Sequence, residues 1–252
     1  MDLETNPQSN AATGPLTLAL DIGGTGLKGA VLNGSGELFT DRVRVPTPEE
    51  STPQNVVDAL VELAGQLGHF DRVSVGFPGV IRRGVVLTAP HLGTEDWRDC
   101  PLAKTLSERL KAPVRMLNDA SVQGYGVISG HGVECVITLG TGVGFALYEN
   151  GVLGPHMELG RYPVRNDTLL DDYLGNVAFR AITKKHWNRR VHRVLGHLET
   201  LVAYDVLYIG GGNAKHIKLD LPDNVKIVPN EAGVTGGIKL WDVKVDYAFA
   251  ET

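Results

Sequence analysis

The stretch Leu16–Leu32, LTLALDIGGTGLKGAVL, constrains the fold more than any other part of the chain. Its left flank, Leu16–Leu20, is apolar and strand-forming. The strand expected after it, over 27–32, ends at Asn33-Gly34-Ser35-Gly36, a run of turn residues. Gly23, Gly24 and Gly26 therefore belong to a tight strand-to-strand turn. Without Cβ atoms, such a turn can take positive φ and approach a ligand closely. Its backbone N–H groups converge and favour an anion. Asp21 at the strand end has the oxygen chemistry to hold a divalent cation, and Lys28 adds a positive charge. The same residues also make an acceptable hairpin with no ligand. Neither a Walker loop nor a dinucleotide fingerprint is present, because G-K-[ST] is missing and no helix follows.

A second glycine turn, Leu139-Gly140-Thr141-Gly142-Val143, lies between expected strands at 134–138 and 144–148. Before it come a strand at 37–45, a helix over 54–67, a strand at 72–76, a helix over 101–111, a strand at 114–117 and a helix over 120–128. After it come a helix over 185–203, a strand at 206–209, the turn Gly210–Asn213, a short strand at 226–228 and a helix over 235–240. The two halves share an order of elements. This predicts an α/β protein of two lobes, 16–118 and 119–252, behind a polar tail at 1–15 expected to be disordered. Facing glycine turns would line the cleft between them.

Composition bounds the partners. A formal net charge of −5 gives no field for nucleic acid. The longest nearly apolar run, around Val136–Tyr148, is too short and glycine-rich to span a bilayer, and the polar start does not read as a signal peptide. Two cysteines, Cys100 and Cys135, make neither a disulfide framework nor a zinc cluster, which fits a reducing, cytoplasmic setting.

Five stretches in order, DIGGT (21–25), FPG (77–79), LNDA (117–120), LGTGVG (139–144) and GGGN (210–213), resemble the ROK sugar kinases of the actin/hexokinase/Hsp70 superfamily. Within that family the chain is most similar to the polyphosphate glucokinases, through DIGGTGLKGAVL, the FPGV-to-TAP run at 77–90 and a tryptophan-containing helix near Trp187. The resemblance covers nearly everything after residue 15. It implies two ribonuclease-H-like (actin-like ATPase) lobes and phosphoryl transfer from polyphosphate and/or ATP to the 6-hydroxyl of a hexose, glucose first. It also implies magnesium near Asp21, no zinc, and a homodimer.

The same resemblance distributes the site. Gly23, Gly24, Thr25 and Lys28 form the first phosphate loop, and Gly140, Thr141 and Gly142 the second. Gly210, Gly211, Gly212 and Asn213 shape the donor side. Gly79, Asn118, Asp119, Glu158, Arg161 and Asp171 take the sugar positions. Asp119 is the catalytic carboxylate, which accepts the sugar's proton and aims its oxygen. At the reference carboxyl pKa of about 3.9 it would be a weak base but a good orienter. Asn118-Asp119 would also cap the following helix. Two positions depart from the family: Arg161 stands where a His is usual, and Asp171 where a Glu is usual. Either the sugar differs from glucose, or Arg161 turns outward and another residue compensates, or catalysis is weak. His156 is read as a loop residue.

Arg180–Arg193 carries six Lys and Arg residues and no acidic one. Trp187, Val191, Val194, Leu195, Leu198, Leu201 and Val202 form an apolar stripe. Lys185, Arg189 and Arg193 lie opposite, as a solvated face or as a track for polyphosphate. Two rivals stay open: a sugar-responsive repressor, for which the short tail leaves no helix-turn-helix, and a catalytically silent sugar- or phosphate-binding protein.

Overall fold

The computed structural model describes residues 14–229 and 232–242, so residues 1–13 of the expected tail lie outside the described residues. Two five-stranded sheets organise the molecule. The first comprises β1 (Thr17–Gly23), β2 (Gly26–Leu32), β3 (Val43–Val45), β4 (Arg72–Phe77) and β5 (Val114–Asn118), in the order β3-β2-β1-β4-β5. The second comprises β6 (Val133–Leu139), β7 (Val143–Glu149), β8 (Val152–Leu153), β9 (Val206–Gly210) and β10 (Val225–Ile227), in the order β8-β7-β6-β9-β10. Each sheet starts as an antiparallel meander and ends with two parallel strands. The shared order of elements seen in the sequence is thus a shared topology.

The helices follow from their stripes and caps. Helix α1 (Pro53–Gly65) starts at Thr52, whose side chain accepts from the Asn55 N–H, with proline at its first position. It buries Val56, Val57, Leu60 and Leu63 against the first sheet. Helix α2 (Leu102–Leu110) covers the same core through Leu102 and Leu106. The second sheet is covered by α6 (Lys184–Val202), through Trp187, Val191, Val194, Leu195 and Leu198. Leu201, placed in that stripe by the sequence, is instead 73% exposed, while its neighbour Val202 packs against the core.

Helix α3 (Asp119–Tyr125) lies where the two halves meet. All its residues from Ala120 to Tyr125 are buried. Its backbone is approached so closely that a Cβ on Gly124 would strike the Tyr148 ring, and Tyr148 donates its hydroxyl to the Ser121 carbonyl. The expected helix at 235–240 is an α-turn at Ala232–Thr235 followed by a 3₁₀ segment, Gly236–Trp241. That segment crosses back to the first sheet. There Ser74 Oγ donates to the Gly237 carbonyl at 2.7 Å, and the Trp241 indole N–H donates to Ser74 Oγ at 2.9 Å. A two-lobe division at 118/119 therefore has the C-terminal segment of the second lobe seated on the first.

The strand expected over 37–45 forms only at Val43–Val45. Asn33 is the reason: its side-chain oxygen accepts from the Ser35 and Glu37 N–H groups and locks a turn. Elements without a sequence signal also appear: two small hairpins, Ile81–Val86 and Pro163–Leu169, and the short helices α4 (Leu170–Leu174) and α5 (Asn176–Ala181).

Candidate active site

A cleft of about 660 Å³ opens between the two sheets. Both glycine turns line it: Gly23, Gly24, Thr25 and Gly26 on one side, and Gly140, Thr141 and Gly142 on the other. The first is a two-residue hairpin connection, with Gly23 paired to Gly26. None of these glycines has positive φ, contrary to the expectation for the first turn. Close approach explains Gly23, Gly26 and Gly142, whereas a Cβ on Gly140 would meet nothing within 4 Å. A Cβ on Gly26 would meet the Arg44 guanidinium at 2.8 Å, and one on Gly142 would lie 2.7 Å from Asp171 Oδ1. Gly211, on the donor side, does take positive φ (86°), and a Cβ there would run into the Leu139 backbone.

Asp21 lies inside β1 rather than at its end, directly opposite Lys28 on β2, and the two form an ion pair at 2.6 Å. Asn118 ends β5 and caps α3. Its oxygen accepts from the Ala120 N–H (3.0 Å) and the Ser121 N–H, and its NH₂ donates to the carbonyls of Phe77 and Gly79. The cap thereby ties the Phe77-Pro78-Gly79 turn to Asp119. Gly79 itself stands back from the cleft, packed on the Thr88 carbonyl, while Pro78 reaches the lining.

Asp119 lies on the cleft floor. Removal from water raises its carboxyl to a pKa of about 7, with the Asp21 charge acting in the same direction; the Ala120 N–H opposes and Glu158 adds to the rise. The weak-base expectation from the reference pKa is corrected accordingly. At neutral pH this group is balanced between acid and base.

Glu158 also lines the cleft, with His156 Nε2 3.4 Å from its carboxylate. Asp171, on α4, does too. Its Oδ1 accepts from the Val143 N–H at 2.7 Å, and burial pushes its carboxyl pKa up. Arg161 does not join them. It is exposed on the 3₁₀ turn Leu159–Arg161 and acts on Asp171 only through its charge. In its place the structure brings His91, which the sequence did not single out. His91 reaches across the cleft from the loop before residues 94–97, with Nε2 3.6 Å from Asp171 Oδ2 and its Cβ and backbone packed against Gly24.

Three of the four residues expected on the donor side reach the cleft. Gly211, Gly212 and Asn213 line the cleft, and Asn213 donates to the Asn176 side chain at 2.9 Å. Gly210 does not reach the lining; it packs on the Gln123 side chain. Arg180 and Lys215 supply cations there. Lys185, Arg189 and Arg193 are all outside the cleft. Hard oxygen donors, Asp21 and Asp119, face the cleft with mutually repelling charges, a donor set that suits a magnesium ion carried in with phosphates.

Residues 17–168 match the ROK family, and the chain belongs to that family. Over 252 aligned residues it is 29% identical to the polyphosphate glucokinase of Mycobacterium tuberculosis, covering 92% of this chain and 95% of the relative. Over 142 residues it is 37% identical to an N-acetylmannosamine kinase of Escherichia coli, covering 54% of this chain and 48% of that protein. Among solved structures, the inorganic polyphosphate/ATP-glucomannokinase of Arthrobacter sp. strain KM superposes with a TM-score of 0.82 at 30% identity, over 90% of this chain and 99% of that one. A ROK glucokinase of Streptomyces griseus, solved with glucose and AMPPNP, superposes with a TM-score of 0.76 at 22% identity, over 89% and 98%. The fold is therefore the actin-like one of the ROK sugar kinases, as the motifs implied.

Proposed function

We propose that this chain is a hexose kinase, transferring a phosphoryl group from polyphosphate and/or ATP to the 6-hydroxyl of glucose or a closely related hexose. The observation that carries this is a carboxylate, Asp119, at the start of α3 in a cleft walled by two glycine turns. The similarity to a polyphosphate glucokinase and a polyphosphate/ATP-glucomannokinase along nearly the whole chain supports the substrate classes.

The chemistry asks for alignment and charge control. Asp119 accepts the proton of the sugar hydroxyl as the new O–P bond forms and the bond to the donor's leaving oxygen breaks. Glu158 is placed to read a neighbouring hydroxyl, as is Asp171 with His91. Backbone N–H groups at Gly23–Thr25 and Gly140–Gly142 cradle the phosphates, and Lys28 and Arg44 add positive charge on the first wall. Asp21 would hold magnesium near the phosphates, and the ion would neutralise charge on the donor's oxygens. Closure of the cleft excludes water that would otherwise hydrolyse the donor. The reading includes no zinc, since the sequence lacks the family's cysteine-rich segment. A cytoplasmic homodimer, with no nucleic-acid or membrane partner, completes it. Cys100 and Cys135, both free thiols, suit a reducing compartment.

The test is Asp119→Asn. The amide keeps the shape of the carboxylate but takes up no proton, so glucose binding measured by calorimetry survives while turnover falls at least about a hundredfold. Near wild-type kcat in the variant overturns the assignment.

A further inference from the structure

Outside the cleft, a cavity of about 230 Å³ is lined by Arg165, Tyr173, His186, Arg189, Arg190 and Arg193. Four of the six are arginines and none is acidic. No Asp or Glu among the described residues forms an ion pair with any of these arginines. The gathered positive charge gives this face a potential that attracts an anion.

Two of the four guanidinium groups, those of Arg190 and Arg193, are held in place by Tyr173. Arg190 donates to the Tyr173 carbonyl at 3.0 Å and stacks over the Tyr173 ring at 4.5 Å, and Arg193 donates to the Tyr173 hydroxyl at 3.0 Å. Each uses one or two of its five N–H donors on Tyr173, which leaves the others for a ligand. Planar forks held this way suit phosphate oxygens. Arg165 comes from the Pro163–Leu169 hairpin on the other rim.

We propose that this cavity is a second phosphate site, separate from the catalytic cleft, that takes a multiply charged phosphate anion. The ligand is either the distal units of a polyphosphate chain or a free oligophosphate; the first source rests on the donor assignment above, the second does not. The cavity and the cleft share a wall. On α4, Asp171 faces the cleft and Tyr173, two residues on, faces the cavity. The face is not the row Lys185, Arg189, Arg193. Lys185 lies outside the cavity, and His186 and Arg190 take part instead.

The test uses the full chain and the double variant Arg189→Gln/Arg193→Gln, with His192→Gln as a control on the exposed side of the same helix. Tripolyphosphate is titrated into each protein with glucose and AMPPNP already saturating the cleft. Wild type and control bind it, and the double variant binds at least about tenfold more weakly, as loss of two charge-assisted contacts implies. Steady-state KM then separates the sources. A KM for long-chain polyphosphate raised about tenfold, with that for tripolyphosphate unchanged, assigns the cavity to distal units of the chain. Unchanged KM values with the titration lost assign it to a free anion. If polyphosphate is no donor at all but the titration behaves as stated, the donor reading fails and the site stands. No uptake by wild type with the cleft filled, or equal uptake by wild type and a double variant of unchanged thermal stability, overturns the proposal.

Discussion

Asp119 concentrates the account at the scale of single residues. Its carboxyl pKa, raised to about 7 by burial and by the Asp21 charge, means the native state holds this proton more tightly than the unfolded chain does. Between about pH 4 and pH 7 the folded form is the proton-richer one, so this group's contribution to stability falls as pH rises through that window. Activity runs the other way, because only the ionised form accepts a proton. kcat/KM should rise with pH to a limb near 7, and Asp119→Asn should both lose that limb and melt higher than wild type at pH 8. A flat wild-type profile between pH 5 and pH 8 would contradict the assignment. His91 belongs to this scale too. It joins two sides of the cleft at ion-pair distance from Asp171. His91→Ala should lower kcat/KM for the hexose about fivefold to tenfold with both donors, consistent with a loss on the order of 1 kcal/mol. No motif marks it, and its partner lies 80 positions away in the chain, so only the packed structure reveals the contact. Arg161 follows one of the alternatives left open by the sequence, the one in which it turns outward. Counting along the chain put it at a sugar position, but a 3₁₀ turn points it to solvent.

Elements were legible where local patterns decide them. The two glycine hairpins, α1 and α6 all carry their signals in consecutive residues: apolar runs broken by glycine, a threonine–proline start, a helical stripe. The short helices α4 and α5, which carry Asp171 and Arg180, carry no such pattern and depend on packing against the second sheet. Of the basic row expected on α6, Arg189 and Arg193 line the second cavity and Lys185 does not. Positions 185, 189 and 193 span about 80° of a helix of about 3.6 residues per turn and 186, 189, 190 and 193 about 100°, so spacing alone does not separate the two sets; packing does, by bringing Tyr173 and Arg165 against the second. Strand β6 supplies a prediction here. Glu134, buried at its start, accepts from the Ser129 N–H and hydroxyl, the Gly130 N–H and the Tyr208 hydroxyl, at 2.7 to 3.0 Å. Burial alone would raise its carboxyl pKa, but these donors outweigh it and hold it below the ordinary value. The stabilisation is therefore present above the unfolded-state value of 4.5 and is lost as pH falls through the lower native one. Glu134→Gln should cost about 2–4 kcal/mol in urea unfolding at pH 7, with the gap to wild type closing as the pH is taken below 4. An equal gap at pH 7 and pH 3 would show that shape, not charge, was lost.

At the scale of the whole molecule, two sheets of one strand order put one glycine turn each on a common cleft, with α3 packed between them. The arrangement brings a glycine turn from each half to the cleft that holds the carboxylate at the start of α3, an alignment that suits phosphoryl transfer between a sugar and a phosphate chain. The most direct measurement is phosphorus-31 NMR of the purified chain with glucose, magnesium and either polyphosphate or ATP as the sole donor. A growing glucose 6-phosphate resonance is expected with at least one donor and is absent in parallel samples of Asp119→Asn. Donor hydrolysed to inorganic phosphate with no sugar phosphate, or sugar phosphate formed equally by the variant, would contradict it.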